Sequence, residues 1–207
     1  GDRKTFALHL AEAQDLARLL DDAYADAFCK TLEAGVAGES GRSQDAVNGA
    51  RNALKVAERI DDPLSRAFIG DMAAWALLSG KQFAEAEPLL RRAIDAYVAQ
   101  GAVLRRATAQ AGMGSLYDGL RDPRSAYRER QVAHDLNRDL DAPYLKAYLT
   151  WALGRDALLA GELDKAKGHF ETSVRESGRM NDSAGVEVAG LQGLGVVAAD
   201  RGDWAEA

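Results

Sequence analysis

The feature that most constrains how this chain can fold is a repeat of about 40 residues. Repeats of this length are typical of proteins in which one supersecondary unit stacks on the next. An alanine follows the glycine turn in the middle of each unit, at Ala46, Ala86, Ala126, Ala166 and Ala207. The interval between these alanines is constant to within one residue. Turn-forming residues recur with the same period, independently of the alanines. The chain is therefore expected to be an array of stacked units.

Two sets of turns divide each unit into two helices. The turns between units lie at Asp21-Asp22, Asp61-Asp62-Pro63, Gln100-Gly101, Asp141-Ala142-Pro143 and Asn181-Asp182-Ser183, and the turns within units at Gly41, Gly80, Gly119, Gly161 and Gly202. Asp and Asn cap helix N-termini, and proline is tolerated in a first helical turn. The turns predict first helices over 23–38, 63–79, 103–118, 143–160 and 183–200. They predict second helices over 3–20, 43–60, 83–100, 123–140 and 163–180, with another beginning near Trp204.

Small residues also recur at one position of each first helix, twelve residues before the alanine. They are Ala34, Ala74, Gly114, Gly154 and Gly195. Small side chains on both helices of a pair allow close approach, so we expect tightly packed helix pairs. With 7% aromatic residues and 4 prolines, the composition also favours an all-α fold. Pro88 predicts a frayed or kinked first turn in its helix.

Charge and cysteine content limit the partners and the compartment. The chain has 32 acidic and 26 basic residues, for a net charge of −6, so we expect no direct binding of nucleic acid. Cys29 is the single cysteine, which we expect to be buried, and no intrachain disulfide can form. The apolar stretches are too short to span a bilayer and no signal peptide is visible. We therefore expect a soluble cytoplasmic protein with no membrane partner.

No group of residues has the pattern of a catalytic or metal site. His9, His134 and His169 are far apart in sequence and belong to no metal-ligand motif. Packing explains Gly114 within Gly112-Met113-Gly114 better than phosphate binding does. The arginines Arg124, Arg128 and Arg130 are mixed with acidic residues and predict a solvated face. We expect no enzyme activity, no metal and no cofactor.

The residues at these positions resemble the tetratricopeptide repeat (TPR) motif. Leu153-Gly154, Gly161, Ala166, Phe170 and Ser173 follow its spacing closely, whereas the period is longer than the usual one and the motif's tryptophan is absent. Long units of this kind resemble those of bacterial signal-transduction ATPase regulators, quorum-peptide receptors and kinesin light chains. The resemblance implies a right-handed α-α superhelix. It also implies one domain over residues 1–207, with units at about 23–62, 63–102, 103–142 and 143–182 and partial units at both ends.

The same resemblance implies a ligand groove, because first helices line the concave face of TPR arrays. Residues at three offsets on these helices share one face. The candidate groove residues are Phe28, Phe68, Asp71, Trp75, Tyr148, Trp151, Arg155 and Gln192. Aromatic anchors with sparse polar groups suit a peptide or a helix, although packing between adjacent units could also account for the aromatics.

These observations favour a protein- or peptide-binding scaffold, as the sensor or interaction segment of a larger bacterial regulatory protein. The alternative is a small-molecule receptor with its ligand in the concave groove. Because the chain opens at Gly1-Asp2 and closes just after Trp204, both in mid-unit, we expect a segment cut from a longer array. Self-association through uncapped ends is a further expectation.

Overall fold

The computed structural model describes residues 3–140, 142–178 and 184–202, which contain ten α-helices and no strand. The helices are α1 (Arg3–Leu19), α2 (Ala23–Glu39), α3 (Ser43–Ala57), α4 (Pro63–Ser79), α5 (Phe83–Ala99), α6 (Val103–Gly119), α7 (Pro123–Leu136), α8 (Pro143–Leu159), α9 (Leu163–Ser177) and α10 (Ala184–Arg201).

The chain divides into two compact units, Gly1–Gly101 and Ala102–Ala207. In the first unit, α2 packs against α1, α3 and α4, and α4 also packs against α3 and α5. In the second unit, α8 packs against α7, α9 and α10, while α6 packs on α7 and α9 on α10. The expectation of a single domain over residues 1–207 stays a prediction.

The helix positions agree closely with those predicted from the turns. The first helices α2, α4, α6 and α8 begin at Ala23, Pro63, Val103 and Pro143, so their starts recur at one constant interval. The second helices α3, α7 and α9 end about three residues earlier than expected. Helix α5 is continuous from Phe83 through Pro88, and the amide of Ala86 donates to the carbonyl of Gln82, so its first turn is not frayed. The predicted turns at Asp141 and at Asn181-Asp182-Ser183, and the helix start near Trp204, lie outside the described residues.

Side-chain caps fix several helix starts. The carboxylates of Asp22 and Asp62 accept hydrogen bonds from the amides of Ala25 and Ser65, as the turn pattern predicts. Asp122 caps α7 in the same way through the amide of Ser125. An N-cap of this kind stabilises a helix by about 1 kcal/mol.

Each turn within a unit contains one residue in the left-handed backbone conformation, and this residue is not always glycine. The left-handed residue of each turn is Gly41, Lys81, Arg121, Gly161 and Gly202 in succession, so two of the five are not glycine. Gly80, which the sequence marks as a turn glycine, has a φ of −90°. Its absent side chain instead makes room for Val47, whose Cγ2 would lie 2.2 Å from a Cβ at Gly80. The sequence therefore located this turn correctly but not the role of its glycine.

Small residues do bring paired helices into close contact, as expected. The repeated alanines Ala46, Ala86, Ala126 and Ala166 are fully buried. In the second unit, a Cβ on Gly154 would lie 2.8 Å from the ring of Phe170. Phe170 is itself buried with Ala157, Ala166 and Val197. This core cluster of the second unit therefore includes an aromatic ring packed against the backbone of Gly154. Cys29 is buried in the first unit, also as expected.

None of the helices in the described part of the chain combines the length and the apolar character that crossing a bilayer requires.

Substituting Gly154 tests the contact with Phe170. We expect Gly154→Ala to lower the free energy of unfolding by about 1–3 kcal/mol, because overpacking displaces neighbours in a dense core. Gly35→Ala in α2 is the control, since no atom lies within 4 Å of the position that its Cβ would take, and it should raise stability by about 0.5–1 kcal/mol. Urea unfolding of both variants measures the difference; equal effects would contradict the packing account.

Candidate functional site

Helix α8 carries a row of three predicted groove residues in the second unit. Tyr148 and Trp151 are half-buried, with ring centroids 5.9 Å apart. The guanidinium of Arg155 lies over the Trp151 ring, 5.3 Å from its centroid. Offsets of three and four residues on a helix place these side chains side by side. The row thus presents two aromatic rings and one cation to solvent.

In the first unit, Phe28 of α2 and Phe68 of α4 belong to a three-ring cluster. Their ring centroids are 5.8 Å apart, and Tyr24 completes the cluster at 6.2 Å from Phe28 and 6.4 Å from Phe68. Both phenylalanines are half-buried against a core that includes Ile60 and Ile69. Tyr24, which the sequence did not single out, is the most exposed of the three, at 39%.

The other three groove candidates differ in exposure. Asp71 is buried, and Tyr97 of α5 donates a hydrogen bond of 3.2 Å to its carboxylate. Its side chain therefore engages the interior of the first unit. Trp75 is half-buried on α4, and Gln192 is exposed on α10. The assignment of the eight residues to a ligand groove stays a prediction.

A network of four charged side chains supports the row on α8. Arg130 of α7 donates to both carboxylate oxygens of Asp156, at 2.7 and 2.5 Å, and also pairs with Asp118 of α6. Arg155 pairs with the same two carboxylates. Arg130 and Asp156 have side-chain exposures of 1% and 0%, whereas Asp118 and Arg155 reach solvent at 22% and 34%. The network therefore runs from the core of the unit to its surface.

The solvated face predicted for Arg124, Arg128 and Arg130 is wrong for Arg130, which is buried, whereas the other two are exposed. An alignment of the units could have predicted that Arg130 is buried. Position 130 corresponds to Ala50, Leu90 and Phe170, all of which are buried. Gly114 provides the space, since a Cβ there would lie 2.6 Å from Cγ of Arg130. Asp156 likewise occupies an apolar position, equivalent to Ala76 and Leu116. The two charges sit in the core because each neutralises the other.

The network keeps Arg130 charged. Burial lowers the pKa of an arginine, but the hydrogen bonds and negative charges of Asp118 and Asp156 outweigh it and raise the pKa of Arg130 above its ordinary value. Burial raises the pKa of Asp156, while the charges of Arg130 and Arg155 oppose that rise. Arg130 is thus held as a cation between two carboxylates, which also pair with Arg155.

A second polar contact in this unit joins α7 and α9. Tyr127 Oη lies 3.4 Å from Nε2 of His169, and the two rings meet edge to face. Burial lowers the pKa of His169, and the nearby positive charges of His134 and Lys165 lower it further. Within the described ranges, no cluster of His, Cys, Asp or Glu has a composition suited to a metal ion.

Removing Arg130 should lower the free energy of unfolding far more than removing a surface arginine does. We expect Arg130→Met to lower the free energy of unfolding by about 3–5 kcal/mol, because Asp156 would be left buried without its main partner. The double variant Arg130→Met/Asp156→Leu should recover most of this loss. Arg138→Met, whose exposed side chain pairs with Asp135, should change stability by at most about 0.5 kcal/mol. Chemical denaturation gives the three values, and a double variant as unstable as Arg130→Met would refute this account.

His169 should make stability depend on pH. Its pKa is lower in the folded chain than the ordinary 6.5, so below that pH the unfolded chain binds more protons. Stability from this residue is therefore present above pH 6.5 and declines as the pH falls through the folded-state pKa. In thermal melts across this range, His169→Gln should flatten the decline, while His9→Gln should retain it because His169 is intact. A decline of equal steepness in both variants would exclude His169 as its source.

Comparisons with known proteins identify the fold. No protein-family model matches the chain, and no curated protein matches it in sequence. Solved structures do match. BtubC (BKLC) from P. vanneervenii has 18% sequence identity and a TM-score of 0.76, covering 98% of this chain and 84% of its own.

Two further solved structures share the fold at similarly low sequence identity. A Rap protein complexed with competence and sporulation factor has 16% identity and a TM-score of 0.76 over 89% of this chain. This chain spans 50% of the Rap protein's length. A kinesin-light-chain-like protein of P. anserina with nearly identical TPR-like repeats has 16% identity and a TM-score of 0.69, covering 86% of this chain and 87% of its own. The all-α, TPR-like helical-repeat fold expected from the sequence is confirmed.

Proposed function

We propose that this chain is a non-catalytic scaffold for a protein or peptide ligand, and that it serves as the interaction or sensor segment of a larger bacterial regulatory protein. The observation that carries the proposal is the row of Tyr148, Trp151 and Arg155 on α8. Half-exposed aromatic rings beside a guanidinium are the side chains that most often dominate binding energy in protein interfaces.

Preorganisation is the second reason to place a ligand on this row. Arg155 is held by Asp118 and Asp156 and rests on Trp151, so little conformational freedom is left for a ligand to remove. Both ion pairs use Nη2 of Arg155. In the proposed complex its Nη1 donates to a backbone carbonyl or carboxylate of the ligand, while the rings accept an apolar side chain.

The role within a regulatory protein is supported by fold similarity. The Rap structure contains a bound factor in a protein of the same fold. The sequence also resembles the long repeat units of signal-transduction ATPase regulators. The rings of Tyr24, Phe28 and Phe68 give the first unit an aromatic surface of its own, on which a partner could also dock.

Selection from a random peptide library tests the proposal even though the ligand is unidentified. Peptides selected on the whole chain should lose about tenfold or more in affinity for Trp151→Ala, the loss typical of an interface anchor. Arg155→Gln should also weaken binding. Val132→Ala, an exposed apolar residue on α7, is the control and should bind as the original chain does. Failure to select any peptide, or selected peptides that bind Trp151→Ala undiminished, would overturn the proposal.

A further inference from the structure

A separate cleft of 630 Å³ lies in the first unit, between α3 and α5 and over α4. Its size falls within the range of small-molecule sites, about 300–1,000 Å³. The residues that line it are Leu54, Ala57, Glu58, Pro63, Arg66, Ala67, Gly70, Leu89, Arg92 and Ala96.

The cleft is distinct from the predicted groove face on the same helix. Arg66 and Gly70 of α4 line the cleft and are four residues apart, so they project together. Phe68 follows Arg66 by two residues, and at about 100° per residue it points to nearly the opposite side of the helix. A ligand in the cleft would therefore leave the aromatic cluster untouched.

The absence of a side chain at Gly70 keeps the cleft open. The equivalent residues in the other units all carry a side chain: Lys30, Gln110, Thr150 and Leu191. A Cβ at Gly70 would meet Leu89 at 3.5 Å, an ordinary contact, so close helix packing does not require glycine here. Leu54, Ala57, Ala67, Leu89 and Ala96 surround it with apolar surface.

Two arginines supply the polar part of the cleft. The Nε of Arg92 donates to the carbonyl of Pro88 at 3.2 Å, which orients the guanidinium and leaves its terminal nitrogens for a ligand. The guanidinium of Arg66 makes no side-chain hydrogen bond or ion pair within the described residues, although its charge helps to lower the pKa of the nearby Asp62. Glu58 offsets one of the two positive charges, so the lining carries a net charge of +1 in a chain of net charge −6. Such a lining suits a monoanion better than a phosphate or a dicarboxylate.

We infer that this cleft binds an amphipathic monocarboxylate. The alkyl chain lies over Gly70 and against Leu54 and Leu89, where burial removes apolar surface from water. The carboxylate accepts charge-assisted hydrogen bonds from Arg66 and Arg92, which both line the cleft. This is a binding site in the first unit, independent of the row on α8.

Calorimetric titration of the whole chain with sodium octanoate, below the concentration at which it forms micelles, tests this inference. Octanoate should bind to one site, whereas octanol, which lacks the charge, and acetate, which lacks the chain, should each bind at least about tenfold more weakly. Absence of octanoate binding, or equal binding of octanol, would overturn the inference.

Two variants then place the ligand in the cleft. Gly70→Gln introduces the side chain found at Gln110 and should abolish binding while keeping the melting temperature at or above the original. Arg66→Gln/Arg92→Gln should weaken octanoate binding about tenfold but leave octanol binding unchanged. Arg91→Gln is the control, because Arg91 pairs with Glu87 and does not line the cleft. Full octanoate affinity in Gly70→Gln or in the double arginine variant would show that the ligand binds elsewhere.

Discussion

Close approach of paired helices at small residues is the constraint on which the rest of this structure depends. Fully buried alanines such as Ala126 and Ala166 allow the helices of each pair to pack tightly. Where the small residue is glycine, the partner helix can place a large side chain against the backbone, as Phe170 does against Gly154. The same space, filled differently, gives an aromatic core in one helix pair and a buried arginine in another. The proposed ligand surfaces are built on this packing.

The buried pair of Arg130 and Asp156 connects the core to the proposed ligand surface. Burying an ion pair rarely gives more stability than apolar residues of the same size would. Its structural effect here is to position Arg155. Asp156 and Asp118 both pair with Arg155, and the guanidinium of Arg155 lies over the Trp151 ring. The orientation of the half-buried Arg155 cation is thus influenced by a charge within the protein interior. A surface arginine without such support would sample many rotamers.

Most of the fold could be predicted from the sequence, and much less of the site. The constant period placed the helix starts at Ala23 and Pro63, because capping residues and small residues act locally and leave clear patterns. The burial of Arg130 was missed because neighbouring acidic residues suggested a solvated face, although comparison with Leu90 and Phe170 would have revealed it. The cleft over Gly70 could not be predicted, since a missing side chain becomes a cavity only once α3 and α5 are placed around it. Whether the aromatic residues face a ligand depends on partners that periodicity does not encode.

The helical geometry of α8 also limits the length of ligand that the row of Tyr148, Trp151 and Arg155 can contact. Tyr148 and Arg155 are seven residues apart, which corresponds to about 10 Å along a helix axis. An extended peptide covers that distance with about three residues. A partner that touches only this row would therefore be recognised through a determinant the size of a tripeptide. Discrimination among longer sequences has to come from side chains on other helices.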